Sequence, residues 1–496
     1  MLALEPGGGA VEVAGLVLRT PGLSGVAEQV QTNPGAMRGE SLVTDEFDQA
    51  LASEGLEPQH AVILRDTREI LGVQAAESRS TSTGEAAIQV DAPAPADGWG
   101  QVLLSTDEAG VMTWNFAESE NPTGVASRGG NGVRTYLVRR HVPPAPAFEA
   151  GTSRGLAGVV GEKLLKVLAF KLIDKVAGEV GDHFVARWEE KKRPYRVREF
   201  SPENYKSAEP PLVEGERWGQ LGAGRALIFV HGTFSRAHTC FGLLPLTFLE
   251  QMRQRYGGRV FAFDHYTLSQ DPYANVDWLI QRIPEGTKLE LDIVCHSRGG
   301  LVSRVLAERQ SEISLGSRSV DVRRVAFVAS PNNGTLLGDP EHFGDLIDTY
   351  TSLVNLFPDT GMLEVIQAVI SVVKQIAVGA LGGLDGLVSM APGGDFLKAL
   401  NTATPAKADY FALASDYEPV SAGLRDFVAD RLADLVFKAE NDLIVPTAGV
   451  YEENGSSQFP IQRLHSFPAA DGVEHTRYFC NETTQTKLSE WLATEP

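Results

Sequence analysis

Cysteine is scarce in this chain: Cys240, Cys295 and Cys480 are the only three in 496 residues. An odd, scattered set builds no disulfide framework, and no CxxC or HExxH spacing occurs, so neither a structural metal nor a metal cofactor is expected. Positive charge is in deficit as well, with 44 Lys and Arg against 64 Asp and Glu and a formal net charge of −20. Such a surface repels phosphate backbones and anionic head groups, which argues against nucleic acid as a partner. Long apolar runs are also missing. The richest stretch, EVIQAVISVVKQIAVGALGGLDGLV at 364–388, is broken by Glu364, Gln367, Lys374, Gln375 and Asp385. No uninterrupted run reaches the roughly 20 residues that span a bilayer, so no integral membrane segment is expected. The opening MLALEPGGG has neither the basic start nor the apolar core of a secretory signal, and a cytoplasmic protein is the expectation.

What is present is apolar enough to fold, at 43% hydrophobic residues, and long enough for about three domains. Residues 1–145 read as an N-terminal β-rich domain. VEVAGLVLR and HAVILRD flank a helical TDEFDQALASEG, and AAIQVDA, GQVLLSTD, GVMTWNFA and VRTYLVRRHV follow, separated by Pro, Gly and Asn. Nothing in it names a ligand; any protein partner is expected to dock through this domain. Residues 146–219 read as a Pro/Gly-rich linker followed by an amphipathic helix over 157–192, from the spacing in VVGEKLLKVLAFKLIDKVAGEV. From 220 to 496 apolar strand candidates alternate with helical patterns. They include ALIFV, RVFAFD, LELDIV, VRRVAFVAS, DYFALAS and LIVPT, with a helix near 423–437. This alternation implies an α/β fold with a mainly parallel, doubly wound sheet. Residues 335–408, rich in Leu, Val, Ile and Gly, read as a helical cap insertion.

Within this region LDIVCHSRGGL (291–301) ends an apolar strand at Ser297 and follows it with glycines. A serine in a tight strand-to-helix turn is pushed out at the sheet's carboxyl end, where small neighbours such as Cys295, Gly299 and Gly300 are needed. A serine nucleophile also needs a base and an orienting carboxylate. KAENDLIVPT supplies Asp442 and DGVEHTRYF supplies His475, in the order Ser–Asp–His. Asp416 and Asp264 are the rival acids and His465 the rival base. Oxyanion donors are expected from the backbone N–H groups of Thr233 or Phe234, in ALIFVHGTFS, and of Arg298. His231, His296 and Asn332 are candidate pocket residues, although loop shaping suits His231 better.

The phrases FVHGTFS, CHSRGGLVSR, ASPNNGT, ALASDYEP and ENDLIVPT resemble the α/β-hydrolase superfamily, and within it lipase/esterase-like serine hydrolases of bacterial type. MAPGGDFLKALN is similar to the end of the cap in triacylglycerol-lipase and GPI-inositol-deacylase-like members. The first residue of the usual G-x-S-x-G pattern is Cys295 here. The resemblance implies a serine hydrolase that cleaves a small-molecule ester or lipid through an acyl-enzyme, without cofactors. Acyl transfer by the same triad, or a non-catalytic binding or scaffold role, are the alternatives.

Overall fold

The computed structural model describes residues 1–30, 45–70, 87–107, 110–118, 132–139, 161–172, 184–356, 362–380, 382–402, 407–418, 440–452 and 459–493. The N-terminal part contains strands β1 (Leu2–Ala3), β2 (Ala10–Val13), β3 (Leu16–Arg19), β4 (Leu23–Gln29), β5 (Leu56–Glu69), β6 (Ala87–Pro93), β7 (Trp99–Asp107), β8 (Met112–Asn115), β9 (Val133–Arg139) and β10 (Lys163–Lys171). They form two antiparallel sheets, ordered β1-β4-β5-β10-β7-β8 and β2-β3-β6-β9. Between them lies an apolar core that includes Leu16, Leu18, Val90, Leu103, Tyr136 and Val167. Helix α1 (Asp45–Ser53) packs outside it.

The amphipathic helix expected over 157–192 is not formed. Its apolar centre, KLLKVLAFK, is the strand β10, whose first eight residues are all buried between β5 and β7. A strand covered on both faces loses the alternation of a half-buried one, and its run of apolar residues then imitates a helix. Among the described residues of that span only Phe184–Lys192 is helical, as α2.

The C-terminal sheet comprises β11 (Arg196–Glu199), β12 (Arg225–Val230), β13 (Val260–Asp264), β14 (Lys288–His296), β15 (Ser319–Val328), β16 (Asp409–Ser415) and β17 (Ile461–Phe467). Its order is β11-β13-β12-β14-β15-β16-β17, with β11 antiparallel to β13 and every other pair parallel. Successive residues of β12 go to opposite faces: Leu227 and Phe229 join one apolar layer, Ile228 and Val230 the other. The boundary expected at 220 is therefore too late, because β11 is already an edge of this sheet. LIVPT is no strand but a series of bends closed by a bridge from Asn441 to Pro446. The helix expected near 423–437 lies outside the described residues.

The helices of this part are α3 (Glu216–Leu221), α4 (Ala237–Cys240), α5 (Leu246–Arg255), α6 (Pro272–Arg282), α7 (Gly299–Glu308), α8 (Phe343–Leu356), α9 (Met362–Ala377), α10 (Asp385–Val388), α11 (Asp395–Leu400) and α12 (Glu482–Trp491). Four of them, α8 to α11, are inserted between β15 and β16. No helix among the described residues is long and apolar enough to cross a membrane.

Candidate active site

β14, β15, β16 and β17 run parallel, so their carboxyl ends lie at one rim of the sheet. After β14, Ser297 sits at φ 51°, left-handed for a residue with a side chain. That strain is tolerated because the surroundings fix the turn. The N–H of Ser297 donates to Val328 O at 2.9 Å, and Gly300 N–H returns to Ser297 O at 2.9 Å. A Cβ on Gly299 would lie 2.4 Å from Val230 O and 2.5 Å from His231 O; on Gly300, 2.3 Å from Ser330 Oγ. Only glycine lets α7 start this close to β12 and β15. Cys295 is fully buried, and burial pushes its thiol up to about 12, so it stays a neutral filler.

After β16, Asp442 accepts backbone N–H donors from Ile444 (3.1 Å) and Val445 (2.7 Å) on Oδ1. Its Oδ2 takes the Tyr478 hydroxyl at 3.2 Å and His475 Nδ1 at 2.9 Å. The His475 backbone N–H donates to Asp442 O at 3.1 Å, so the two residues are joined twice. With Nδ1–H donated to the carboxylate, Nε2 is the nitrogen left to accept a proton. His475 Nε2 and Ser297 Oγ are both buried and have no partner among the described residues. His296, next to Ser297 in the chain, donates from Nε2 to His475 O at 2.9 Å, and its ring centre lies 4.8 Å from that of His475. This contact ties the serine turn to the histidine loop.

The loop after β12 covers the serine. A Cβ on Gly232 would meet Ser297 Cβ at 2.6 Å, so this glycine is the point of closest approach. Phe234 adopts φ 59°, and its carbonyl accepts Arg193 Nη1 at 2.8 Å. No acceptor is recorded for the N–H groups of Thr233, Phe234 or Arg298 among the described residues. The Arg298 side chain turns away from the serine. It is fully buried and donates to the carbonyls of Gly386 (2.7 Å) and Gln270 and to Asn275 Oδ1 (3.1 Å), locking α10 and the loop after β13 to the turn.

Of the expected pocket residues, His231 has both ring nitrogens engaged within its own neighbourhood. It is wholly buried, donates from Nδ1 to Gly232 O at 3.0 Å, accepts His265 N–H on Nε2 at 3.1 Å, and stacks on the His265 ring at 4.3 Å. Burial holds its pKa down to about 3, so it is a neutral loop brace. Asn332 is also wholly buried. Its Nδ2 donates to Val450 O at 2.7 Å and its carbonyl accepts Asn401 Nδ2 at 3.1 Å, holding the loop after β15 under the inserted helices. His296 is the one of the three at the triad; burial lowers its pKa to about 3 and keeps it neutral. Among the rivals, Asp264 accepts Ala237 N–H at 2.8 Å and lies 3.7 Å from Arg198 and Arg236, inside a structural charge cluster. Asp416 has no hydrogen bond to His475 among the described residues. His465 stays on β17, its ring edge-on to Phe467.

Three residues had no signal in the sequence. Glu189, on α2, accepts the N–H groups of Thr267 (2.7 Å), Leu268 (3.0 Å) and Ser269 (2.9 Å). Arg193 bridges Phe234 O to Glu364 O. Tyr350, on α8, packs edge-on against Phe234 (4.7 Å) and His475 (6.4 Å), and its phenol neighbours the Ser297 hydroxyl. Sequence adjacency reveals none of these, because each acts across more than 40 residues of chain. No group of three or more His, Cys, Asp or Glu among the described residues is arranged to hold a metal.

The parallel sheet with the serine turn after β14 gives the C-terminal part the α/β-hydrolase architecture. Similar solved structures include the mature form of Bacillus licheniformis lipase BlEst2, at 17% identity over 54% of this chain and 92% of that one, with a TM-score of 0.33. Lipase 1 from Pelosinus fermentans is similar at 15% identity over 55% and 99%, TM-score 0.36. The metagenomic carboxyl esterase MGS0156 follows at 19% identity over 58% and 74%, TM-score 0.31. No curated protein matches the chain. Residues 192–493, which take in β11 and the whole C-terminal sheet, match the family described as a domain of unknown function, DUF7379, and the chain belongs to that family.

Proposed function

We propose that this protein is a serine hydrolase of carboxylic esters, of lipase/esterase type. The observation that carries the reading is the buried Asp442–His475 pair at 2.9 Å, which turns Nδ1 to the carboxylate and leaves His475 Nε2, like the strained Ser297 Oγ, buried without a hydrogen-bond partner among the described residues. A carboxylate bonded to Nδ1–H fixes the tautomer that a general base needs. In the proposed reaction Ser297 Oγ attacks the ester carbonyl while His475 Nε2 takes its proton. The oxyanion is met by the N–H of Arg298 and that of Thr233 or Phe234. His475 then protonates the departing alkoxide, and water, deprotonated by the same nitrogen, releases the acid from Ser297. The substrate is a small-molecule ester or lipid whose acyl group would lie against the apolar inserted helices. No cofactor takes part in this scheme.

The test is covalent labelling by a fluorophosphonate, with turnover of p-nitrophenyl esters of graded chain length. Labelling and turnover are expected for the wild type and absent for Ser297→Ala; equal labelling of both proteins would falsify the assignment.

A further inference from the structure

Ser297 is 1% exposed and His475 not at all, so no ester reaches them without a displacement of what covers them. Beyond the loop after β12, part of the cover is α8, whose Tyr350 packs on Phe234 and His475, and its two faces do different things. At about 100° per residue, Asp348, Thr351, Ser352 and Asn355 form one stripe (i, i+3, i+4, i+7), while Phe343, Leu346, Tyr350 and Val354 lie on the opposite side. The second face is apolar and carries Tyr350 over the triad. The first is polar, yet Asp348, Thr351 and Ser352 are buried there as well.

Their partner is the N-terminal sandwich. β8 is the last strand of its sheet, and its outer edge has N–H and C=O groups that need partners. Side chains of α8 supply them. Met112 N–H donates to Ser352 Oγ at 3.1 Å and Trp114 N–H to Asp348 Oδ1 at 2.7 Å. Ser352 Oγ donates back to Met112 O at 3.1 Å, Trp114 Nε1 donates to Thr351 Oγ1 at 2.9 Å, and Asn355 Nδ2 to Gly110 O at 2.8 Å. The neighbouring helix α9 is tied to the same domain, through Gln367 Nε2 to Ser53 Oγ at 2.8 Å and Lys374 Nζ to Glu54 O.

From this we infer that the N-terminal domain is a clamp that controls admission of substrate to Ser297: β8 grips the polar face of α8 and so holds Tyr350 over the triad. The inference rests on the serine-hydrolase reading of that site. It gives the N-terminal domain a role in the reaction without any ligand of its own. It also accounts for a helix with three buried polar residues, Asp348, Thr351 and Ser352, on one face, an arrangement that is costly unless each is bonded.

The experiment measures the fluorophosphonate labelling rate of Ser297 in the full chain, together with hydrogen exchange over residues 343–356. The variants are Trp114→Phe, which keeps a ring beside Phe47 and loses only the indole donor, Thr351→Val, which keeps shape and loses the acceptor, and Asn355→Leu at the end of the stripe. Loss of one buried hydrogen bond shifts the closed–open balance about two- to tenfold. Labelling is expected to quicken by that factor, with faster exchange across α8. Should Trp114→Phe destroy folding, the Thr351→Val and Asn355→Leu pair decides. Unchanged or slower labelling in folded variants overturns the clamp. A wild type that never labels at Ser297 defeats the hydrolase reading instead, and in that case unchanged exchange across α8 would still overturn the clamp separately.

Discussion

The N-terminal sandwich and the C-terminal sheet bury their side chains under opposite rules. The buried polar residues of the sandwich are mostly neutral, Thr20, Thr67, Gln101, Ser105 and Thr106, with Lys163 and Lys166 on β10, and its buried phenol, Tyr136, is answered by Gln101 at 2.9 Å. At the C-terminal rim lie Ser297, His475, Asp442, Arg298, Arg193, Glu189 and the stacked His231–His265 pair, all buried. Phe234, Ser297, Ala329 and Leu443 there hold φ between 51° and 81° with a side chain attached, against Ala14 and Asp66, both at 52°, in the N-terminal part. Each such feature costs of order 1–3 kcal/mol, and together they mark the place where the fold gives up stability for geometry. The sandwich, by contrast, is built for stability and for holding α8.

The largest break in this comparison comes from single-atom changes. Asp442→Asn keeps the size of the side chain but presents an amide to His475, so the ring turns to the wrong tautomer. Turnover of a p-nitrophenyl ester is expected to fall by about 10⁴-fold, with the fold intact by circular dichroism. Tyr136→Phe in the sandwich also removes one polar atom and leaves Gln101 Oε1 without its donor, while Gln101 Nε2 still donates to Pro93 O. It should cost about 1–3 kcal/mol in urea unfolding and change kcat by less than about twofold.

A glycine-to-alanine pair sharpens the contrast. At Gly232 the added carbon would stand 2.6 Å from Ser297 Cβ and 3.0 Å from His296 O, which forces the loop after β12, the proposed source of an oxyanion donor, away from Ser297. A loss of about 10²-fold in kcat is expected, as for a displaced oxyanion donor, with a smaller effect on unfolding. At Gly100 the carbon would meet Phe170 Cζ at 2.3 Å, a ring in the sandwich. Overpacking there costs about 1–3 kcal/mol of stability and leaves ester turnover near the wild-type value. If both variants lose activity equally, the division of labour between the two regions is wrong.

Sequence legibility follows the same divide. The strand–helix alternation after residue 220 was readable because β12 to β16 are short, apolar and punctuated by turns. Ser297, Asp442 and His475, proposed here as the reacting set, each stand inside a phrase that the sequence offers, CHSRGGLVSR, ENDLIVPT and DGVEHTRYF. β10 was misread as a helix, since a strand buried on both faces carries no period of two. β11, RVRE, was passed over because a polar edge strand resembles a loop. Arg193, Glu189 and Tyr350 act through contacts made only by folding, as does the grip of β8 on α8, where Trp114 and Asp348 are more than 200 residues apart.

The last contrast concerns acid. Among the described residues every buried histidine, His231, His265, His296 and His475, lies in the C-terminal part. Burial holds His231 and His296 down to about 3, and His265 well below the ordinary 6.5. The unfolded chain binds protons at these sites as pH drops through 6.5, while the folded one stays neutral until far lower. Stability is therefore fully present above about pH 6.5 and is lost as pH falls from there towards 3, at roughly 1.4 kcal/mol per pH unit for each histidine. Hydrogen exchange at pH 5 should show β12 and β14 losing protection while β5 and β10 keep theirs. His231→Gln, which removes one titrating ring, should flatten the decline measurably, and an unaltered slope would mean that carboxylates alone set the acid limit of the C-terminal sheet.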